Sequence, residues 1–236
     1  MKNKMLITSL SLIMLLSLTG CKTKETNAED TYKGPLEFKE EYESLNGQTN
    51  SSGKEHRSVS IAEDNPFFYI TAEELIEKMD SGETFYVYFG SKLCPWCRSV
   101  IEKAIEVAKE KKINKIYYID IWDEEGNEIL RDKYILDSNN EPQQIVSGTD
   151  SYSEILTRFN HLLSDYTLED KEGNKIDIGE KRIYAPSFFF VKNGVAEALV
   201  EGTSDKQSDS RGELTEEILT DEEEIFSKFF DEDCGC

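Results

Sequence analysis

Five cysteines carry most of the chemistry this sequence can do. Cys94 and Cys97 are separated by Pro95 and Trp96, Cys234 and Cys236 by a single glycine, and Cys21 stands alone near the start. Two thiols three positions apart can cycle between dithiol and disulfide, or supply two ligands to a soft metal ion. A zinc site built on Cys-x-x-Cys ordinarily needs a second Cys or His pair at similar spacing. The two histidines, His56 and His161, are far apart in unrelated settings. His161 falls inside an apolar helical pattern and reads as a packing or surface residue. Redox chemistry is the better reading of Cys94 and Cys97.

That chemistry depends on what holds the cysteines. Residues 85–90 (FYVYFG) are aromatic and β-branched, the composition of a buried strand, and Gly90-Ser91 breaks the run. Beyond the cysteines, Val100, Ile101, Ala104, Ile105 and Ala108 recur at helical spacing. A helix therefore starts at the cysteines, and Pro95 suits its first turn, where a missing N–H costs no intrahelical bond. Cys94 falls at the helix N-terminus, where unpaired N–H groups and the macrodipole favour an anion. The anion here is a thiolate, the nucleophile of disulfide exchange. Cys97, one turn further in, is placed to attack a mixed disulfide formed at Cys94.

Strand, short loop, Cys-x-x-Cys and helix in this order resemble the active site of the thioredoxin superfamily. The flanking sequence extends the likeness over residues 70–230. Thr71 and Glu74 form a capping box ahead of Ala72, Leu75, Ile76 and Met79 at helical spacing, and Ser81-Gly82 ends that helix. Residues 115–122 (KIYYIDIW) read as a second buried strand, parallel to the first across the helix. Asn193-Gly194 between apolar runs at 188–191 and 195–200 signals a hairpin. Residues 220–230 read as a closing amphipathic helix whose second face, rich in carboxylates, is a solvated surface.

The expected class is thus α/β with a thioredoxin-like fold: a central mixed sheet flanked by helices, with a helix-plus-hairpin insertion before the proline of Ala185-Pro186. In the insertion, residues 123–182, a weak helix is expected over 124–136 and turns over 139–149. A helix capped by Ser151 and Glu154 should span 151–164, followed by a hairpin over 166–178. The resemblance implies that Pro186 is cis and faces the cysteines, that Ala185 offers backbone hydrogen bonds to a substrate chain, and that Trp96 shapes the exposed rim. Tyr88-Phe89-Gly90-Ser91 with residues 94–98 is similar to the thioredoxin-like accessory proteins of bacteriocin systems. Two features depart from the superfamily pattern. Tyr88 stands where many members keep a buried Asp that serves the second cysteine, and Ile116 stands where they keep its lysine partner. Asp120 and Glu102 are the candidate substitutes. The Pro-Trp dipeptide differs from those of reducing and of strongly oxidising members, so the direction of electron flow stays open.

The chain opens with Lys2 and Lys4, then about 15 apolar or small residues, short for a membrane span and suited to a signal-peptide core. Leu18-Thr19-Gly20-Cys21 resembles the bacterial lipobox, which implies a lipidated Cys21 as mature N-terminus and an anchor on the outer face of the cytoplasmic membrane. An ordinary secretory signal is the other reading. Residues 22–65 are polar, with scattered Tyr32, Phe38 and Tyr42, and read as a flexible tether holding at most a short helix around 38–45. The formal charge is −21, and loss of Lys2 and Lys4 with the signal makes it −23. Such a chain repels nucleic acid and anionic lipid head groups.

Cys234-Gly235-Cys236 would close a small, strained and therefore labile disulfide. It is a candidate relay between Cys94/Cys97 and an outside partner, similar to the tails of some sulfhydryl oxidases. The competing reading is a thiolate site for copper or zinc built from both pairs. A third is a non-catalytic binding module. The expected function is a membrane-anchored, extracytoplasmic thiol–disulfide oxidoreductase acting on protein thiols and disulfides, with a membrane redox partner as a further candidate. It needs no diffusible cofactor, because the cysteines are the redox group.

Overall fold

A computed structural model of the chain describes residues 33–231. The signal segment, Cys21, Cys234 and Cys236 lie outside the described residues. The elements run α1 (Pro35–Glu43), β1 (Phe67–Tyr69), α2 (Ala72–Asp80), β2 (Phe85–Gly90), α3 (Pro95–Glu110), β3 (Ile116–Asp120), β4 (Lys133–Leu136) and β5 (Pro142–Val146). They continue with α4 (Asp150–Phe159), β6 (Ser164–Glu169), β7 (Lys175–Arg182), β8 (Ser187–Lys192), β9 (Val195–Val200) and α5 (Glu216–Phe230).

Five strands form one mixed sheet in the order β1-β3-β2-β8-β9. β1, β3 and β2 are parallel, whereas β8 runs antiparallel to β2 and β9 antiparallel to β8. Every residue of the central strand β2 is buried, as a strand covered on both faces must be. Its side chains alternate between two cores. Tyr86 and Tyr88 join the cluster under α1, α3 and α5. Phe85, Val87 and Phe89 join the cluster under α2 and α4. The result is a mixed sheet flanked by helices on both faces.

Local chemistry explains the ends of the site-bearing elements. The Thr71–Glu74 capping box closes as expected, with Glu74 N–H donating to Thr71 Oγ1 at 3.2 Å and Thr71 N–H to Glu74 Oε2 at 2.9 Å. Cys94 is itself the N-cap of α3, and Pro95 occupies its first turn. The β8–β9 hairpin turns at Asn193-Gly194, both with positive φ.

Several expectations are corrected. Residues 33–65 are not a free tether. α1 drives Phe38 and Tyr42, both fully buried, against Phe67 and Tyr118, and Val59, Ile61 and His56 are buried behind them. The buried Arg98 guanidinium of α3 ties this segment down, donating to the carbonyls of Tyr42 (2.8 Å) and Arg57 (2.7 Å) and to Asn46 Oδ1 (2.9 Å). Two aromatics one turn apart anchor a helix that is otherwise polar, and the average polarity hid them.

No helix forms over 124–136. The Asp123 carboxylate accepts from the N–H groups of Glu125 (3.0 Å) and Asn127 (2.8 Å), and Gly126 takes positive φ. This local side-chain turn competes with helix. β4, at the end of the stretch expected to be helix, and β5, within the stretch expected to be turns, then pair as a hairpin. α4 is capped by Thr149, whose Oγ1 accepts from Tyr152 N–H at 3.0 Å, and not by Ser151. The carboxylate-rich face of α5 is not wholly solvated, since Glu222 is fully buried. The β6–β7 hairpin turns at Gly173 as expected.

Candidate active site

The strand-to-helix junction places Cys94 at the N-terminus of α3, 4% exposed, and Cys97 one turn in, fully buried. Both are free thiols. The Cys97 backbone N–H donates to Cys94 Sγ at 3.3 Å. The Cys94 thiol in turn donates to the Ala185 carbonyl at 3.5 Å. The Ala185–Pro186 peptide bond is cis. Thus the two stretches singled out in the sequence, about ninety residues apart, meet in one place.

The two sulfurs are driven in opposite directions. The Cys94 thiol is held below its usual range, first by the hydrogen bond from the Cys97 side chain, against the cost of burial, then by the N–H groups of Cys97 and Trp96 and the nearby Arg131 charge. Burial pushes the Cys97 thiol well up, and its neighbour Cys94 pushes it further, while the Tyr88 hydroxyl and the Ser91 N–H act the other way. One sulfur is biased towards the thiolate and the other towards the neutral thiol.

Trp96 and Ala185-Pro186 line one end of a groove of about 700 Å³. Its walls come from the β6–β7 hairpin (Asp165, Thr167, Glu169, Lys175) and from the loop after β9 (Glu201, Asp205, Gln207). The segment inserted ahead of Pro186 therefore builds one wall of the groove. Four of these side chains are carboxylates and one is a lysine, and burial raises the Glu201 pKa.

No protein-family model matches the chain, and no curated protein matches its sequence.

The proposed stand-ins for the missing buried Asp fare differently. Glu102 is exposed and accepts from Ser60 N–H at 2.9 Å, so it is turned away from the cysteines. Asp120, at the end of β3, has its pKa pushed up to about 6 by burial, opposed by hydrogen bonds from the Trp122 N–H and from Ser91 and Tyr118. His161 donates to or accepts from no catalytic group; its Nε2 meets the Ala196 carbonyl at 2.9 Å, a packing role. Among the described residues no cluster of side chains suited to a metal ion occurs.

Sequence reading missed three contributors. Arg131 supports the site from 123–182: it pairs with the buried Glu128 at 2.6 Å and donates to the Ile183 carbonyl at 3.0 Å, just ahead of Ala185-Pro186. Arg182 joins the same Glu128 at 3.1 Å. Tyr42, from α1, shares a 3.1 Å hydrogen bond with the Tyr88 hydroxyl in the cluster that holds Cys97. The Glu128-x-x-Arg131 spacing was the only local signal for the first, and none marked the last.

Proposed function

We propose that this chain is a lipid-anchored, extracytoplasmic thiol–disulfide oxidoreductase with a thioredoxin-like fold, acting on protein thiols and disulfides. The observation that carries it is the meeting of a helix-capping Cys94, its sulfur fed by backbone N–H donors, with the cis Ala185–Pro186 bond at the mouth of a groove. A helix N-terminus favours the thiolate, and the groove gives an extended chain a bed beside it.

The chemistry follows. The Cys94 thiolate attacks one sulfur of a partner disulfide. The Cys94–S–S–partner bond forms, the partner's S–S bond breaks, and the electron pair leaves with the other partner sulfur. Cys97 then attacks Cys94, forming the Cys94–Cys97 disulfide and releasing the partner as a thiol. In reverse the same steps oxidise a partner dithiol. The groove's carboxylates suit substrates with basic residues near the reacting cysteine.

The test is the pH dependence of alkylation of Cys94. It should show an ionisation below that of free cysteine, about 8.5. Cys94→Ser should abolish reduction of a model protein disulfide, while Cys97→Ser should trap the mixed disulfide. A Cys94 no more acidic than free cysteine and inert to disulfides would leave only a binding module.

A further inference from the structure

The resolving half of the cycle poses a problem. Cys97 must become an anion although it is fully buried, and among the described residues no carboxylate is one of the leading influences on it. Cys97 shares one buried cluster with Cys94, Tyr42, Tyr88 and Tyr118, and its ionisation is influenced by Cys94, by the Tyr88 hydroxyl and by the Ser91 N–H. Tyr88 rises from β2 with its ring stacked on Phe188 (4.3 Å between centroids) and on Tyr118 (5.4 Å). Its hydroxyl is fully buried and shares a 3.1 Å hydrogen bond with the Tyr42 hydroxyl of α1. The next residue but one, Gly90, makes this position possible: a Cβ there would lie 2.2 Å from the Tyr88 hydroxyl. Tyr42 is held in turn by Arg98, which follows Cys97 and donates to the Tyr42 carbonyl at 2.8 Å.

Burying two phenol hydroxyls against a thiol in an otherwise aromatic core is costly unless they are paired. Here the two are paired with each other, in the same buried cluster as Cys97. Neither phenol is a base: burial pushes both well above the usual tyrosine range. A phenol that keeps its proton is a donor, and donors stabilise thiolates. Asp120 acts on Tyr42 and Tyr118 and is not among the leading influences on Cys97.

We propose that Tyr88 is the hydrogen-bond donor that stabilises the Cys97 thiolate during resolution, and that Tyr42, from the N-terminal segment, is the positioning residue that fixes the Tyr88 hydroxyl. This deepens the redox reading above and rests on it. In the step, Cys97 loses its proton, its electron pair forms the bond to Cys94 Sγ, and the Cys94–partner bond breaks. The partner sulfur leaves with that bond's pair and takes up a proton if its own pKa allows. Tyr88 transfers nothing; it shortens its bond to sulfur as charge develops there.

The experiment uses the aromatic disulfide 5,5′-dithiobis(2-nitrobenzoate) and the full chain carrying Cys21→Ala, Cys234→Ser and Cys236→Ser, so that only Cys94 and Cys97 react. One coloured thiolate is released when Cys94 attacks and a second when Cys97 resolves; the proton from Cys97 goes to buffer. Tyr88→Phe keeps the stacked ring and deletes the hydroxyl. It should leave the first release unchanged, slow the second about tenfold or more, the range for a hydrogen bond to a charged group, and move the pH midpoint of the second phase upward. Tyr42→Phe should shift the same phase in the same direction by less. A second phase with parent rate and pH midpoint in folded Tyr88→Phe overturns the proposal and leaves the redox reading standing. An effect in Tyr42→Phe without one in Tyr88→Phe also overturns it. Absence of the first release in the parent overturns both. A thermal melt of each variant separates loss of fold from loss of the donor.

Discussion

The two faces of the central sheet differ in a way that one strand makes plain. β2 sends Tyr86 and Tyr88 to one side and Phe85, Val87 and Phe89 to the other. On the cysteine side, Tyr42, Tyr69, Tyr88 and Tyr118 bring hydroxyls into the core, and Arg98 is fully buried among them. The other side is largely phenyl and aliphatic: Phe89, Phe159 and Phe189 pack ring against ring, and Tyr152 spends its hydroxyl on the Ile183 N–H at 3.2 Å. Ordinary cohesion needs only the second kind of core. The proposed redox role gives a reason for hydroxyls on the first side: a sulfur that takes up charge there needs donors.

The largest effect that would test this contrast comes from the plain face. Phe89→Ala should cost about 3–5 kcal/mol in a denaturant titration, the usual range for emptying such a site. It should leave the pH midpoint of the resolving step where it was. Tyr88→Phe should move that midpoint at a smaller cost in stability, about 1–3 kcal/mol, because the buried Tyr42 hydroxyl loses its partner. Equal shifts of the pH midpoint by both variants would erase the distinction between faces.

Glu222 sharpens the picture, because it is a polar atom on the cysteine side that the cysteines do not use. It lies on α5, fully buried, with neither carboxylate oxygen hydrogen-bonded. Burial lifts its pKa from 4.5 to about 7 despite the charges of Arg57 and Lys103. Between those values the folded chain holds a proton that the unfolded chain has released, so stability falls as pH rises from 4.5 to about 7 and is flat above. Glu222→Gln should therefore stabilise the protein at pH 8, by up to about 3 kcal/mol, and change nothing at pH 4. Thermal melts at the two pH values check this; equal gains at both would remove the titration from the account.

The smallest effect concerns the groove. Raising salt should slow reduction of a cystine peptide flanked by Lys or Arg by a fewfold and leave a neutral peptide unaffected, since exposed charges are screened. Equal salt dependence for both peptides would remove the carboxylates from substrate choice.

Much of this was legible in the residues. Strand 85–90, the helix opening at Cys94, the Thr71–Glu74 cap and the Asn193-Gly194 turn all rest on short-range chemistry, the cis Ala185–Pro186 bond was expected from the resemblance, and each is present. The helix expected over 124–136 failed for an equally local reason, the Asp123 turn, whose D-x-x-G-N pattern returns at Asp170, where Glu172 and Asn174 donate to the carboxylate. Residues 33–65 failed differently. Their composition is that of a linker, and only Phe38 and Tyr42 say otherwise.

The sequence by itself determined which sulfur lies at a helix end, and therefore which one is proposed as the nucleophile, because capping and helical periodicity act within a few residues. It did not determine what surrounds the other sulfur. Tyr42, Tyr88 and Cys97 are separated by up to about 55 positions, and they share one buried cluster only because the sheet alternates its side chains and α1 closes over one face. Burial is a property of the assembled chain, so the environment that tunes a buried thiol exists only after folding.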